Sequence, residues 1–168
     1  TSGRVKTTGR ADMAAPFAWL TGACLAISTQ LWKLAGGFDP AYFLYWEDVD
    51  FSQRVTQVGG RLLVRHDLEV IHDVGGTQGD GKSATYLRYN TRNRLLFAAK
   101  WLPTRAVRSW VRHTPAESYR VLVRSGRKSL LQASMLRAVA AGTSQGVRAA
   151  CAPKRYRRSS PALTGPAS

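Results

Sequence analysis

Apolar and polar positions follow different periods along this chain, and the periods divide it. Between Phe17 and about His72, short apolar runs alternate with glycine turns and acidic residues, a pattern of packed, mixed α/β structure. Residues 22–27 form an unbroken small-apolar run that predicts a buried strand. Ser28 or Thr29 then caps a short helix running through Lys33, which the Gly36-Gly37 pair ends. Phe51, Val55 and Val58 recur at i, i+4 and i+7, so residues 47–58 are expected to form a helix that stops at Gly59-Gly60. Residues 61–71 alternate apolar and polar as a half-buried strand or strand pair does, closed by His72.

Further along, Tyr86, Tyr89, Leu95, Leu96 and Phe97 among many arginines predict an amphipathic helix over 83–101, stopped by Pro103. A second helical stretch is expected from about Pro115 to Ala141. The remainder carries Lys154-Arg155-Tyr156-Arg157-Arg158 and a Ser/Pro/Gly/Ala-rich ending, the composition of a disordered basic tail. No internal repeat is present.

Composition adds bounds. A chain of 168 residues with 44% hydrophobic residues and five tryptophans is long enough to bury a core. Twenty-five Lys and Arg against ten Asp and Glu give a net charge of +15, which draws phosphates, acidic lipids or nucleic acid whatever the fold. The two cysteines, Cys24 and Cys151, lie far apart without a CxxC pair, which argues against a zinc site or disulfide framework and makes the cytoplasm the expected compartment. The longest apolar stretch, residues 14–27, is interrupted by Pro16, Thr21 and Gly22 and falls short of the roughly 20 residues that span a bilayer. Residues 1–16, which open on the Gly-, Thr- and basic-residue-containing stretch 1–12, read as a truncated entry into the middle of a longer protein.

The densest chemistry is Glu47-Asp48-Val49-Asp50, three carboxylates in four residues directly after Tyr42-Phe43-Leu44-Tyr45-Trp46. Acidic residues in a first helical turn complement the helix dipole, and Asp50 can pair with Arg54 at i+4. The functional alternative is that a carboxylate beside an aromatic wall deprotonates a sugar hydroxyl. His72, at the expected end of a strand, is either a structural residue or a neutral imidazole ligand to a divalent cation. Trp19 and Trp46 stack on a sugar or fill the core. Gly36-Gly37 and Gly75-Gly76 read as turns, since neither lies in a strand–GxGxxG–helix pattern.

This order of residues resembles the family-2 glycosyltransferases, particularly the rhamnosyltransferase-like and galactofuranosyltransferase-like members. The resemblance runs from Trp19 to about Leu102. It is carried by Trp19-Leu20-Thr21-Gly22-Ala23, then Gly36-Gly37-Phe38-Asp39, then residues 43–51 with Arg54, Gly59 and His72 downstream, and by Tyr89-Asn90-Thr91-Arg92-Asn93. It implies an incomplete GT-A-like α/β domain of the nucleotide-diphospho-sugar transferase type, with an acceptor-side half at 17–102, a basic helical extension at 103–150 and the tail at 151–168. It further implies Asp48 as general base, Glu47 and Asp50 as neighbours shaping the acceptor pocket, Trp19, Gly22, Ala23, Trp46 and Arg54 as substrate-binding residues, and His72 as a ligand to Mg²⁺ or Mn²⁺.

The implied reaction is a single displacement with inversion. Asp48 takes the proton of an acceptor hydroxyl while the cation carries the charge developing on the departing nucleoside diphosphate. The partners are a nucleotide-sugar donor and a glycan or polyprenyl-diphosphate-saccharide acceptor, in cell-envelope polysaccharide synthesis. The family's nucleotide-binding βαβ unit and Asp-x-Asp motif do not precede Trp19, so the chain is expected to lack most of the donor site and to be inactive alone. Arg88, Arg92, Arg94, Arg105, Arg108 and Arg112, interleaved with Tyr89, Trp101 and Trp110, suit either a solvated basic face or an anionic membrane surface at the inner face of the cell membrane. Nucleic-acid binding is the competing class, favoured by charge but lacking any recognisable recognition module, and no nucleic-acid partner is expected. An inactive truncated remnant is the third.

Overall fold

In a computed structural model of the chain, described for residues 18–65, 67–68, 83–124 and 130–152, five α-helices follow one another: α1 Thr29–Ala35, α2 Glu47–Gln57, α3 Ala84–Trp101, α4 Thr104–Arg124 and α5 Ala133–Cys151. No strand occurs among the described residues, so the expected α/β class is overturned. The reason is visible in the backbone donors. A strand needs a neighbouring ladder to satisfy its N–H and C=O groups, whereas here the Leu20 N–H donates to Ser52 Oγ at 3.1 Å and the Gly22 N–H to Asp48 Oδ2 at 3.0 Å. Alternate amides of an apolar segment are thus taken by side chains one turn apart on α2. Residues 61–65 likewise form no ladder, and most of the expected strand beyond them, with His72 and Gly75-Gly76, lies outside the described residues.

The chain forms two compact units, Thr1–Gly79 and Asp80–Ser168. In the first, α1 is set by its termini. Ser28 Oγ accepts from the Leu31 N–H at 3.2 Å, and Gly36, at φ 78°, closes the other end with its N–H on the Lys33 and Trp32 carbonyls. Only glycine adopts that left-handed geometry without cost. Gly37 follows at φ 64°, where a side chain would press on the Trp32 ring at 3.1 Å. The core joins Ala35, Phe51 and Val55 to Leu31, Trp32 and Leu62. Trp32, Phe38 and Phe51 pack edge to face or tilted, with centroids 4.8–5.2 Å apart, the arrangement that ring quadrupoles favour. An apolar recess of about 200 Å³, bounded by Leu20, Ile27, Leu31, Phe51 and Val55, opens beside this core and carries no carboxylate in its lining.

In the second unit, Ser83 caps α3 by accepting from the Tyr86 N–H at 3.1 Å. α3 ends at Leu102, whose extended backbone (φ −102°, ψ 153°) is what a following proline imposes. The Pro103 carbonyl then accepts from Ala106 at 2.8 Å and starts α4. The expected single helix over 115–141 is therefore two helices, and Pro115 sits inside α4 rather than at a start. α5 lies against α3 through Gly142 and Gly146. A Cβ at Gly142 would stand 2.3 Å from the Arg88 carbonyl oxygen, and one at Gly146 would stand 2.9 Å from Leu95 Cδ1. Glycines one turn apart let the two backbones approach more closely than any side chain permits. Leu87, Val121 and Leu122 form the adjoining core with Leu130, Met135 and Val139. No described helix is long and apolar enough to cross a membrane.

Candidate functional site

The loop ahead of α2 is built under strain. Asp39 Oδ1 accepts from the Ala41 N–H at 2.9 Å, and the Tyr42 and Phe43 amides donate to the Asp39 and Pro40 carbonyls. The Leu44 N–H then donates to the Tyr42 carbonyl at 2.6 Å, a γ-turn centred on Phe43, whose φ is 56°. Tyr45 and Trp46 are also left-handed, at φ 65° and 72°. Positive φ costs an L-residue roughly 1–2 kcal/mol, and three such aromatics in four positions persist only where surrounding contacts over-determine them. Phe43 is 73% exposed, so the strain holds an aromatic ring in solvent beside the first turn of α2.

The anchor of this loop is a buried polar chain. Tyr42 and Asp50 are both fully buried. The Tyr42 hydroxyl donates to Asp50 Oδ1 at 3.2 Å, and Arg54 Nε donates to Asp50 Oδ2 at 2.8 Å. Burial, then the adjacent Asp50 carboxylate, pushes the Tyr42 phenol well above its ordinary range, which keeps it a donor. Arg54 Nη1 donates to the Ala35 carbonyl at the end of α1, and the guanidinium lies 5.4 Å from the Phe51 ring centroid. Arg54 therefore ties α1 to α2 and neutralises a carboxylate that could not be buried alone.

Asp48 is placed differently. Its Oδ2 accepts from the Gly22 N–H and its Oδ1 from the Val49 N–H at 2.8 Å, and it is only half-buried. A carboxylate has about four acceptor directions, so these bonds leave it further capacity to accept. Burial raises its pKa above the usual 3.8, while the N–H groups of Gly22, Val49 and Asp48 itself act in the opposite sense. Glu47 is also raised, chiefly by burial and further by Asp48, and its Oε2 is buried without a hydrogen-bond partner among the described residues. A carboxylate made more basic by partial burial and oriented by two backbone donors has the chemistry of a general base.

Of the residues singled out in the sequence, two pairs meet here: Gly22 with Asp48, and Asp50 with Arg54. Trp19 is 40% exposed, one residue before the amide that Ser52 holds. Ala23 donates its N–H to Thr21 Oγ1 at 3.3 Å, a local turn contact. Trp46 is the N-cap residue of α2 without a side-chain cap bond. His72 lies outside the described residues, and among those described no group of three His, Cys, Asp or Glu side chains is arranged to hold a metal ion. In the sequence, Tyr42 and Phe43 stand out only as members of the aromatic run ahead of three carboxylates, with nothing to tell the buried ring from the exposed one, and Ser52 carries no signal.

No protein-family model matches the chain, and no solved structure matches it. The chain is 32% identical over 84 residues to the N-acetylglucosaminyl-diphospho-decaprenol L-rhamnosyltransferase of Mycobacterium tuberculosis, in both strain CDC 1551 and strain H37Rv. The match takes in 50% of this chain and 27% of the relative, so the chain spans about a quarter of the length of the curated proteins it resembles. Half of this sequence therefore stands in a distant relationship to a glycosyltransferase.

Proposed function

We propose that this chain is the acceptor-side portion of an inverting glycosyltransferase in which Asp48 is the base. One observation carries the reading: Asp48, the carboxylate that the family resemblance implies as base, is held by a backbone N–H, raised by burial and adjacent to a strained, exposed aromatic loop. In this reading an acceptor hydroxyl approaches the free lone pair of an Asp48 oxygen and transfers its proton there as the hydroxyl oxygen attacks the anomeric carbon from the face opposite the leaving diphosphate. Gly22 and Val49 hold the carboxylate in place. Asp50 is a positioning residue, since both its oxygens are engaged by Tyr42 and Arg54. Phe43, Trp46 and Trp19 supply aromatic surface for the acceptor sugar.

The relative's name directs the choice of ligands. The donor to try first is nucleotide-diphosphate-linked L-rhamnose, and the acceptor an N-acetylglucosaminyl diphosphate on a short alkyl chain. Among the described residues no three His, Cys, Asp or Glu side chains gather to hold a cation, and assays are run with and without Mn²⁺. In the intact enzyme, with the donor-side half present, Asp48→Asn should lower transfer by about 10²–10⁴-fold, the range of a positioned base, with acceptor affinity unchanged. Retained turnover in that variant, or lost acceptor affinity, would remove Asp48 from the role of base.

A further inference from the structure

The two units differ sharply in charge. Residues 1–79 carry 7 Lys and Arg against 8 Asp and Glu, whereas residues 80–168 carry 18 against 2. Within the second unit the charge is organised. On α4, Thr114, Ser118, Val121 and Leu122 are buried, and the opposite side of the helix is exposed. Arg105, Arg108 and Arg112 recur there at i, i+3 and i+7, all exposed, with no carboxylate among the described residues paired to them. Tyr119, 59% exposed, continues the row two turns on. At 1.5 Å per residue the row runs about 20 Å, straight along a helix whose other side is fixed in its own core.

We propose that this row is a docking surface for an anionic lipid leaflet. Three arginines and a tyrosine in line meet a plane of phosphate headgroups along its whole length, with the Tyr119 ring at the boundary between polar and apolar layers, where aromatic rings settle. Residence at the membrane has to be peripheral so far as the described helices are concerned, since none can cross it. Nucleic acid shares the phosphate chemistry, but a single exposed helix row with one exposed ring follows a flat surface better than a groove. The proposal rests on the glycosyltransferase reading only in that a lipid-linked acceptor would be met at such a surface.

The test is co-sedimentation of the full chain with vesicles of phosphatidylcholine mixed with phosphatidylglycerol, against phosphatidylcholine alone, with helical circular dichroism as the fold control. Binding should require phosphatidylglycerol and fall as salt is raised. The triple variant Arg105→Gln, Arg108→Gln, Arg112→Gln should bind on the order of 100-fold more weakly, about fivefold per arginine, while Arg65→Gln, an exposed arginine of the first unit, should bind as the wild type does. Should the triple variant lose its helical signal, the three single substitutions are read instead, each at about fivefold. Equal binding to neutral vesicles, wild-type binding by the substituted chains, or an equal loss with Arg65→Gln would overturn the proposal. So would displacement from vesicles by duplex DNA together with loss of DNA binding in the same triple variant. No sugar is present in this experiment, so its outcome is separate from that of the transfer assay.

Discussion

The carboxylate of Asp48 and the backbone N–H of Gly22, 26 positions apart in sequence, meet at 3.0 Å. That bond orients the carboxylate and lowers its pKa, while burial raises it by more. The balance has consequences for stability as well as for chemistry.

Asp48 and Glu47 are both raised in the folded chain, so the folded state holds these protons more tightly than the unfolded state does. Their contribution to stability is present below the ordinary carboxylate values and is lost as pH rises through the raised ones. Asp48→Asn removes the penalty of burying a charge and leaves an oxygen for the Gly22 amide. The variant should therefore be at least as stable as the wild type at neutral pH, and the two should converge in acid. Urea unfolding at about pH 7 and about pH 3, either side of the ordinary carboxylate range, reads this directly. A variant less stable at neutral pH would show that the ionised carboxylate is a net stabiliser.

Asp50 lies in a different energetic class because its charge is buried and paired. Asp50→Ala should cost about 3–5 kcal/mol by stranding Arg54. Tyr42→Phe, which removes one bond to a charged group, should cost about 1.5–3 kcal/mol. Unfolding free energies from denaturant titration within about 0.5 kcal/mol of wild type for both, the size of an ordinary surface substitution, would mean that the chain Tyr42–Asp50–Arg54 does not hold the loop.

Phe43 separates strain from function. Its φ of 56° suits glycine, so Phe43→Gly should leave stability within about 1 kcal/mol of wild type, relief of the left-handed backbone offsetting the freer unfolded chain. Acceptor affinity should fall about fivefold, the value of roughly 1 kcal/mol of aromatic contact. Saturation-transfer NMR with the acceptor analogue measures this, and unchanged sugar signals would mean that the exposed ring does not meet the acceptor.

Gly142→Ala tests the close contact of α5 with α3. A methyl group would stand 2.3 Å from the Arg88 carbonyl oxygen, and backbone cannot rotate out of the way as a side chain does. We expect a loss of about 2–3 kcal/mol, at the upper end of overpacking costs, and a lowered melting temperature followed by circular dichroism.

Short-range signals are legible in the sequence. Ser28 and Gly36 bracket α1, Ser83 and Pro103 bracket α3, and Phe51 and Val55 mark the buried side of α2. Each rests on residues within a turn or two of each other. The extent of α4 is not legible in the sequence because its buried row includes Thr114 and Ser118, which blurs the apolar period, and because Pro115 looks like a start. Thr114 Oγ1 folds back onto the Trp110 carbonyl at 2.8 Å, and Arg94 stacks over the Trp110 ring at 4.5 Å, so the polar row is satisfied inside the unit. The expected strand at 22–27 does not form, and residues 61–65 make no ladder, because an apolar run or an alternation supplies only half of what a strand needs: the partner strand is the other half. The i+4 spacing announces the Asp50–Arg54 pair, but nothing local to Arg54 indicates that its guanidinium also reaches the Ala35 carbonyl, 19 positions back. The γ-turn at Phe43 was illegible for a related reason: no residue type encodes a positive φ at an aromatic, and only the fixed Tyr42 and α2 on either side impose it.

Leu20 and Gly22 have no ladder of their own. Their amides are lodged on Ser52 and Asp48, side chains four apart on a helix. The segment therefore draws the partners of both amides from that one helix. When the first turns of α2 fray, the acceptors swing away together and both amides are released to solvent at once. Hydrogen exchange at Leu20 and Gly22 should accordingly keep pace with the amides of α2, and the segment that orients the carboxylate lasts only as long as the helix that bears it.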